Sequence, residues 1–381
     1  MTDGRGRAMR GKFLLSAGAA LLAMPGVASA KAGDAIPNSY ICTFLPGPIS
    51  RGAEARGATA AVGGRVKHIY DHVLSGFSAH MSATAAEKLV AKNRLIRRCV
   101  QDRVASIPPI IVGEISARGG PPSSSGSSQT LPWGVKRVGG AGSSSGTAWI
   151  IDTGIDLTHP DLNISQTDNV SFLPGNTDPN DANGHGTHVA GIIGAKANSI
   201  GVVGVAADAR VVSVRVLDSS GNGADSDVIK GLDHVVARGR SGDVINLSLI
   251  TTGLQELDDA VARAASAGFY VAIAAGNSSA NAAGYSPARV NGPGIYTASA
   301  IDNKDVFARY SNWGNPPIDF AEPGSSILST YKGGTYATLS GTSMAAPHLA
   351  GILLLRGGAA PVTNGSALRD PDGRPDPIGV Q

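Results

Sequence analysis

From residue 129 onward, short runs of mostly apolar residues alternate with longer stretches whose apolar positions return every third or fourth residue. The runs at 148–151, 211–216, 244–247 and 270–274 lack a polar face, as do strands buried on both sides of a parallel sheet. The stretches at 187–197, 225–238 and 255–267 have helical spacing and length. Strands alternating with helices predict a doubly wound, mostly parallel α/β domain over residues 129–357. Its functional site is expected at the carboxyl ends of the strands.

Residues 37–107 follow a different pattern, that of a small α+β unit. A strand at 40–44 precedes a hairpin over 66–73 and 77–81, turning at Ser75-Gly76, and 96–100 returns as a last strand. Thr84 and Glu87 have capping-box spacing ahead of a helix through 88–92. Residues 108–128 string Pro, Gly and Ser together without a period, which predicts a linker and a natural place for processing. Residues 358–381 are rich in Pro, Gly and Asp and poor in apolar side chains, so a short flexible C-terminal tail is expected.

At the N-terminus, Arg5, Arg7, Arg10 and Lys12 precede an apolar run at 13–24 and small residues ending at Ala30. This predicts a signal peptide over 1–30, with an uncleaved anchor as the alternative. No other stretch approaches the ~20 apolar residues of a membrane span. A secreted protein, extracellular or periplasmic and free of the membrane after signal removal, is expected.

The net charge of +3 averages two opposed regions. Residues 37–107 hold ten Lys/Arg against four Asp/Glu, whereas 129–356 hold 14 against 19. Opposite charge favours docking of one region on the other. Basic residues without interleaved aromatics or a nucleic-acid motif argue against nucleic-acid binding. Both cysteines, Cys42 and Cys99, lie in the basic region, so 129–356 holds neither a thiol nucleophile nor a cysteine metal site. Export makes a disulfide between them chemically possible.

Three motifs carry candidate chemistry. Asp152 ends the apolar run at 148–151, where an aspartate can be a turn residue or a functional carboxylate. His185 lies in Asn183-Gly-His-Gly-Thr-His between two glycines at a helix start, where a capping or core histidine is the alternative. Ser343, in Gly341-Thr-Ser-Met-Ala-Ala-Pro-His, enters a helix at its N-terminus. There it is either a simple N-cap or a nucleophile whose developing charge the helix end favours.

Taken in the order Asp, His, Ser, these motifs make the chain from 129 to about 355 resemble the catalytic domain of subtilisin-like serine proteases, the subtilases of peptidase family S8. The resemblance implies a triad of Asp152, His185 and Ser343, with Asn277 of Ala274-Ala-Gly-Asn as oxyanion donor. It implies protein or peptide substrates bound between two edges, Ser220, Gly221, Asn222 and Gly223 on one side and Ser248, Leu249 and Ile250 on the other. Ile250 departs from the family's usual glycine at the entrance of the specificity pocket. No cofactor is expected for catalysis. A structural Ca²⁺ is implied at Gln129, Asp161 and Asn198, with the carbonyls of Lys196, Ile200 and Val202, an oxygen set suited to that ion.

Tyr40-Ile-x-x-Phe44 and His68-x-Tyr70-Asp71, followed by Gly76-Phe77, resemble the inhibitor-type (I9) propeptide of the same family, a small ferredoxin-like sandwich. That implies a self-processed precursor, expected to be monomeric, whose own propeptide acts as intramolecular chaperone and inhibitor. It also implies that Cys42 and Cys99 can bridge neighbouring first and last strands. The competing readings are a silent peptide-binding relative and an α/β-hydrolase esterase. The esterase reading lacks Gly-x-Ser-x-Gly, because Ala345 stands two residues after Ser343.

Overall fold

The computed structural model describes residues 31–47, 50–116 and 129–381; the expected signal segment and residues 117–128 lie outside the described residues. The first unit of structure runs β1 (Ala35–Phe44), α1 (Arg51–Ala60), β2 (Arg65–Tyr70), β3 (Gly76–His80), α2 (Ala83–Lys92) and β4 (Ile96–Ser106). β1 lies between β4 and β3, with β2 beyond β3, all antiparallel. Phe44, Phe77, Met81, Leu89 and Ile96 fill the space under the two helices. Cys42 and Cys99 are directly paired across β1 and β4 and joined by a disulfide.

Two local expectations change. α1 was not anticipated, because its two glycines and scarce apolar side chains leave only Ala55 and Thr59 buried. The N-cap of α2 is Ser82 rather than Thr84: its side chain accepts a hydrogen bond from Ala85 N at 3.2 Å. Thr84 falls inside the first turn.

Part of the stretch expected to be linker is also ordered. β5 (Ile111–Ser116) pairs antiparallel with a later strand over 335–340. Period-two alternation is absent from β5 because both sides of this edge are largely exposed at Ile111, Val112 and Ile115.

The larger sheet contains β6 (Thr147–Asp152), β7 (Arg210–Arg215), β8 (Val244–Leu247), β9 (Tyr270–Ala274), β10 (Ile295–Ile301) and β11 (Ile318–Pro323). Helix α3 (His185–Gly194) connects β6 to β7, α4 (Asp225–Arg238) connects β7 to β8, and α5 (Gln255–Ser266) connects β8 to β9. The strands are parallel in the order β11-β10-β9-β8-β6-β7. Their order reverses between β6 and β8, the crevice position expected of a doubly wound sheet. A hairpin of β12 (Ile327–Tyr331) and β13 (Thr335–Ser340) then leads into α6 (Thr342–Leu355). One core layer lies between the sheet and α4 and α5, built around Ile151, Val214, Leu232, Val261 and Ile273. The other packs α3 and α6 against the opposite face through Ile150, Ile193, Ala298 and Leu349.

The two regions of opposite charge meet along α4 and α5. Asp227 pairs with Lys67 at 2.8 Å and His68 at 2.6 Å, and Glu256 pairs with Arg98 at 2.7 Å. Asp233 Oδ1 accepts from the backbone N–H groups of Asp71, His72 and Val73, which turns a buried carboxylate into a cap for an irregular segment. Ile41, Tyr70 and Val73 join the same apolar cluster as Leu232.

The C-terminal stretch is not a flexible tail. β14 (Val362–Ser366) and β15 (Pro377–Val380) form an antiparallel pair, and β15 adds to β11 in parallel; with the two-residue strand Val170–Ser171 beside β7 the sheet has nine strands among the described residues. Few apolar residues suffice because they are well placed: Ile378 and Ala367 are buried against Ile301, Phe307 and Ala321. Ile378→Ala is therefore expected to lower the unfolding free energy by about 2–5 kcal/mol. Chemical denaturation measures this, and unchanged stability would show that the segment is not part of the core.

Candidate active site

Asp152 is the last residue of β6 and is fully buried at the carboxyl end of the sheet. His185 opens α3 after Gly184, whose φ of 114° requires a left-handed backbone best met by glycine. The imidazole Nδ1 lies 2.8 and 3.0 Å from the two Asp152 oxygens. This approach depends on Gly186, since a Cβ there would stand 2.1 Å from the Gly154 carbonyl oxygen.

Asp181 supports the pair. One of its oxygens accepts from Thr153 Oγ1 and from the N–H groups of Asn183 and Gly184, and the other from Thr187 N and Oγ1. Thr153 Oγ1 in turn receives Gly186 N at 3.0 Å. The sequence reading missed Asp181. Its signal was an acidic residue placed just before a helix start, where free backbone N–H groups need acceptors.

Ser343 is the second residue of α6 and is buried. Its Oγ makes a long, 3.4 Å contact to Ser248 O, while His185 Nε2 is buried without a hydrogen-bonding partner. Asp152 and His185 are thus joined, but no hydrogen bond links the imidazole to Ser343, whose Oγ contacts Ser248 O instead. Asn277 follows β9, and its Oδ1 accepts from Thr342 N and Oγ1 at 2.9 and 2.8 Å. That leaves its Nδ2 free to donate to Pro109 O at 2.8 Å. Thr342, which locks this amide, was not anticipated.

Between the two expected edges lies the chain's own segment 104–110. Ser106 exchanges both backbone hydrogen bonds with Ile250, and Ile107 N donates to Gly221 O. Ala105 and Val104 continue the ladder against Gly223 and Ala224, and Ser106 faces Asn222. Of the remaining edge residues, Ser220 sits in a turn held by Asp218, and the Leu249 side chain packs in the core. Ser248 contributes its carbonyl to Ser343 Oγ, and its Oγ donates to Ser343 O.

The residues read as a cation site also come together. The Gln129 Nε2 group stands 2.5–3.1 Å from four oxygens: the carbonyls of Lys196, Ile200 and Val202 and the Asn198 Oδ1. Asp161 holds Asn198 Nδ2 with one oxygen and Val202 N with the other, and burial raises its pKa. Four oxygens converge on an amide N–H₂ that has only two protons to give, and such a set of oxygens fits a hard cation. Turning the Gln129 amide over would add its own oxygen.

Two other buried histidines differ from His185. The His188 Nε2 is shared by the carbonyls of Ile327 and Ala337, and burial depresses its pKa to about 3. The His348 Nδ1 bonds Met344 O, and burial lowers its pKa to about 4. Both therefore remain neutral at neutral pH and brace backbone, each with its remaining ring nitrogen buried and unpaired.

Fold and site together define a subtilisin-like α/β domain. Residues 149–370 match the subtilase family, peptidase S8, and the chain belongs to that family. It is similar to the alkaline serine exoprotease A of Vibrio alginolyticus, at 36% identity over 76% of this chain and 53% of that one. Subtilisin Savinase of Lederbergia lenta is 42% identical over 60% of this chain and 84% of its own. A solved structure, described as a cold adapted subtilisin-like serine proteinase, aligns with a TM-score of 0.57 at 34% identity, covering 65% of this chain and 96% of that one. The chain spans 53% of the length of the Vibrio relative and 60% of that of the M-protease of Shouchella clausii.

The close approach at Gly186 generates a direct test. Gly186→Ala is expected to cost about 1–3 kcal/mol through forced backbone displacement. Denaturant unfolding of the variant reads this, and wild-type stability would mean that the α3 start is not packed against Gly154 as described.

Proposed function

We propose that the chain is a secreted serine endopeptidase, made as a precursor, that hydrolyses peptide bonds through an acyl-enzyme. The observation that carries this reading is the strand at 104–109 lying between two backbone edges, with its Pro109 carbonyl in the Asn277 amide, beside Ser343 and the Asp152–His185 pair. The segment enters the cleft from β4 and leaves it into β5, so both ends are open to polypeptide. A cleft open at both ends suits an internal bond, which favours an endopeptidase.

In the reaction, Ser343 Oγ attacks the carbonyl carbon of the scissile bond while His185 Nε2 takes the hydroxyl proton. The Asp152 carboxylate holds Nδ1–H and stabilises the imidazolium. The oxyanion receives the Asn277 Nδ2–H and the Ser343 backbone N–H, at the start of a helix whose dipole favours negative charge. The imidazolium then protonates the leaving amine, and the C–N bond breaks. Water, deprotonated by the same nitrogen, releases the acyl group and restores Ser343.

Residues 37–107 are read as a propeptide that assists folding and masks the cleft until the chain cuts itself. Opposed charges along α4 and α5 support that docking. A serine-reactive fluorophosphonate should label the processed wild type and not Ser343→Ala, and the Ser343→Ala precursor should stay full length apart from signal removal. Labelling of Ser343→Ala, or its normal maturation in a pure preparation, would contradict this reading.

A structural Ca²⁺ at Gln129, Asp161, Asn198 and the carbonyls of Lys196, Ile200 and Val202 is part of the proposal. It would tie the start of the α/β domain to the loop after α3, apart from the chemistry. Chelation should lower the melting midpoint, and added Ca²⁺ should restore it. An unchanged midpoint removes the ion from the account.

A further inference from the structure

We propose that the Cys42–Cys99 bond is a redox gate on maturation: residues 31–107 fold, and so assist and hold the α/β domain, only where that bond can form. The inference rests on the propeptide reading above. Cysteine placement makes such a gate selective, because the chain's two cysteines both lie in this region and residues 129–381 contain none. A thiol reductant or disulfide oxidant therefore acts on the docking unit and leaves Asp152, His185 and Ser343 untouched.

The unit needs the bond because its own core is small. Its buried cluster holds Phe44, Phe77, Met81, Leu89 and Ile96 as large apolar side chains, completed by Cys42 and alanines. Ile41, Tyr70 and Val73 are buried in a different cluster, with Leu232 of α4, so they lose that cover when the unit stands alone. α1 adds little, with only Ala55 and Thr59 buried. A unit of under about 80 residues with so few core side chains commonly needs a cross-link to be stable by itself.

The bond also sits where it constrains most. Cys42 and Cys99 are directly opposed on β1 and β4, and the 57-residue separation between them takes in α1, β2, β3 and α2, nearly the whole unit. Closing a loop of that length raises the folded-to-unfolded ratio by on the order of 10³ in the chain-entropy account. β4 continues from Cys99 to Val104 and Ala105, which ladder against Ala224 and Gly223. The cross-linked sheet thus presents the cleft segment as part of its own strand. Cys42 is fully buried in the folded protein, which restricts attack by an outside thiolate, so the gate acts chiefly before folding.

The chemistry is thiol–disulfide exchange. The two cysteine thiols pass two electrons and two protons to a small-molecule disulfide such as oxidised glutathione, forming one S–S bond and releasing two small thiols. In a reducing compartment the exchange runs backward, the unit stays open, and mature protease does not accumulate.

The test refolds the denatured, reduced precursor without residues 1–30 in two buffers, one with a glutathione disulfide mixture and one with excess dithiothreitol. Folding is read from the melting transition of the Ser343→Ala precursor, and maturation from self-cleavage and fluorophosphonate labelling of the wild type. Dithiothreitol should lower the maturation rate by at least about tenfold and at most ~10³-fold. Cys42→Ala combined with Cys99→Ala should mature at the slow rate in both buffers, and labelling of already processed protein should be indifferent to dithiothreitol. Equal maturation of the wild type in the two buffers overturns the gate, whatever the double variant does. So does a double variant that matures like the oxidised wild type, or processed protein that loses labelling in dithiothreitol. A Ser343→Ala precursor that folds in the oxidising buffer alone, beside a wild type that is neither cut nor labelled, would uphold the gate and refute the serine-peptidase reading.

Discussion

The structure depends most on the burial of α6. From Thr342 to Leu353 this helix has no exposed face, so it cannot rest on the surface and must run between the sheet and α3. Met344, Ala345, Leu349 and Leu353 pack into the layer beneath the sheet, while Ile352 joins Val135, Val138 and Val205 on another side. A helix seated this deeply has little freedom to slide. Its first turn therefore fixes Ser343 near the carboxyl ends of the strands, where Asp152 and His185 are delivered by β6 and α3. Thr342 adds a second lock: its N–H and hydroxyl donate to Asn277 Oδ1, and its Oγ1 accepts from Gly276 N.

The antiparallel unit of residues 35–106 is joined to this frame by more than charge. Surface ion pairs contribute little by themselves, but Asp227, Asp233 and Glu256 are nearly buried, and each meets cations or N–H groups of the opposite region. Removing one partner would leave a desolvated carboxylate, so these contacts specify one docked arrangement more than they add net stability. The apolar contribution comes from Ile41, Tyr70 and Val73 on the Leu232 side of α4. Docking this surface carries β4 directly into the cleft, which aligns 104–107 with both edges.

Sequence pattern resolved the α/β domain well because its strands are buried on both faces and its helices are long. It was weaker where tertiary contact replaces pattern. α1 has almost no apolar stripe, β5 has a period hidden by exposure on both sides, and β15 is held mainly by Ile378 at the sheet edge. Asp152, His185, Ser343 and Asn277 were legible because each sits in a distinctive local string beside an element boundary. Asp181 and Thr342 were not, since their importance lies in which backbone N–H groups and amides they meet across the fold. The Cys42–Cys99 bond lay between these cases: possible from the two residues, but dependent on β1 and β4 being neighbours.

The occupied cleft also accounts for the contact between Ser343 and Ser248. In an antiparallel pair alternate residues turn their N–H to the partner edge, so with Ser106 opposed to Ile250 and Ile107 turned to Gly221 the N–H due to Ser248 O is that of residue 108, and Pro108 has none. Ser248 O is therefore left without a strand donor, and the Ser343 hydroxyl is the group that reaches toward it. A hydroxyl has one proton to donate, so this contact competes with donation to His185 Nε2, the nitrogen that is buried and unpaired. Pro108 thus leaves Ser343 as the donor that reaches Ser248 O. A residue with an N–H at position 108 would supply that donor to Ser248 O and leave the hydroxyl proton available to the imidazole.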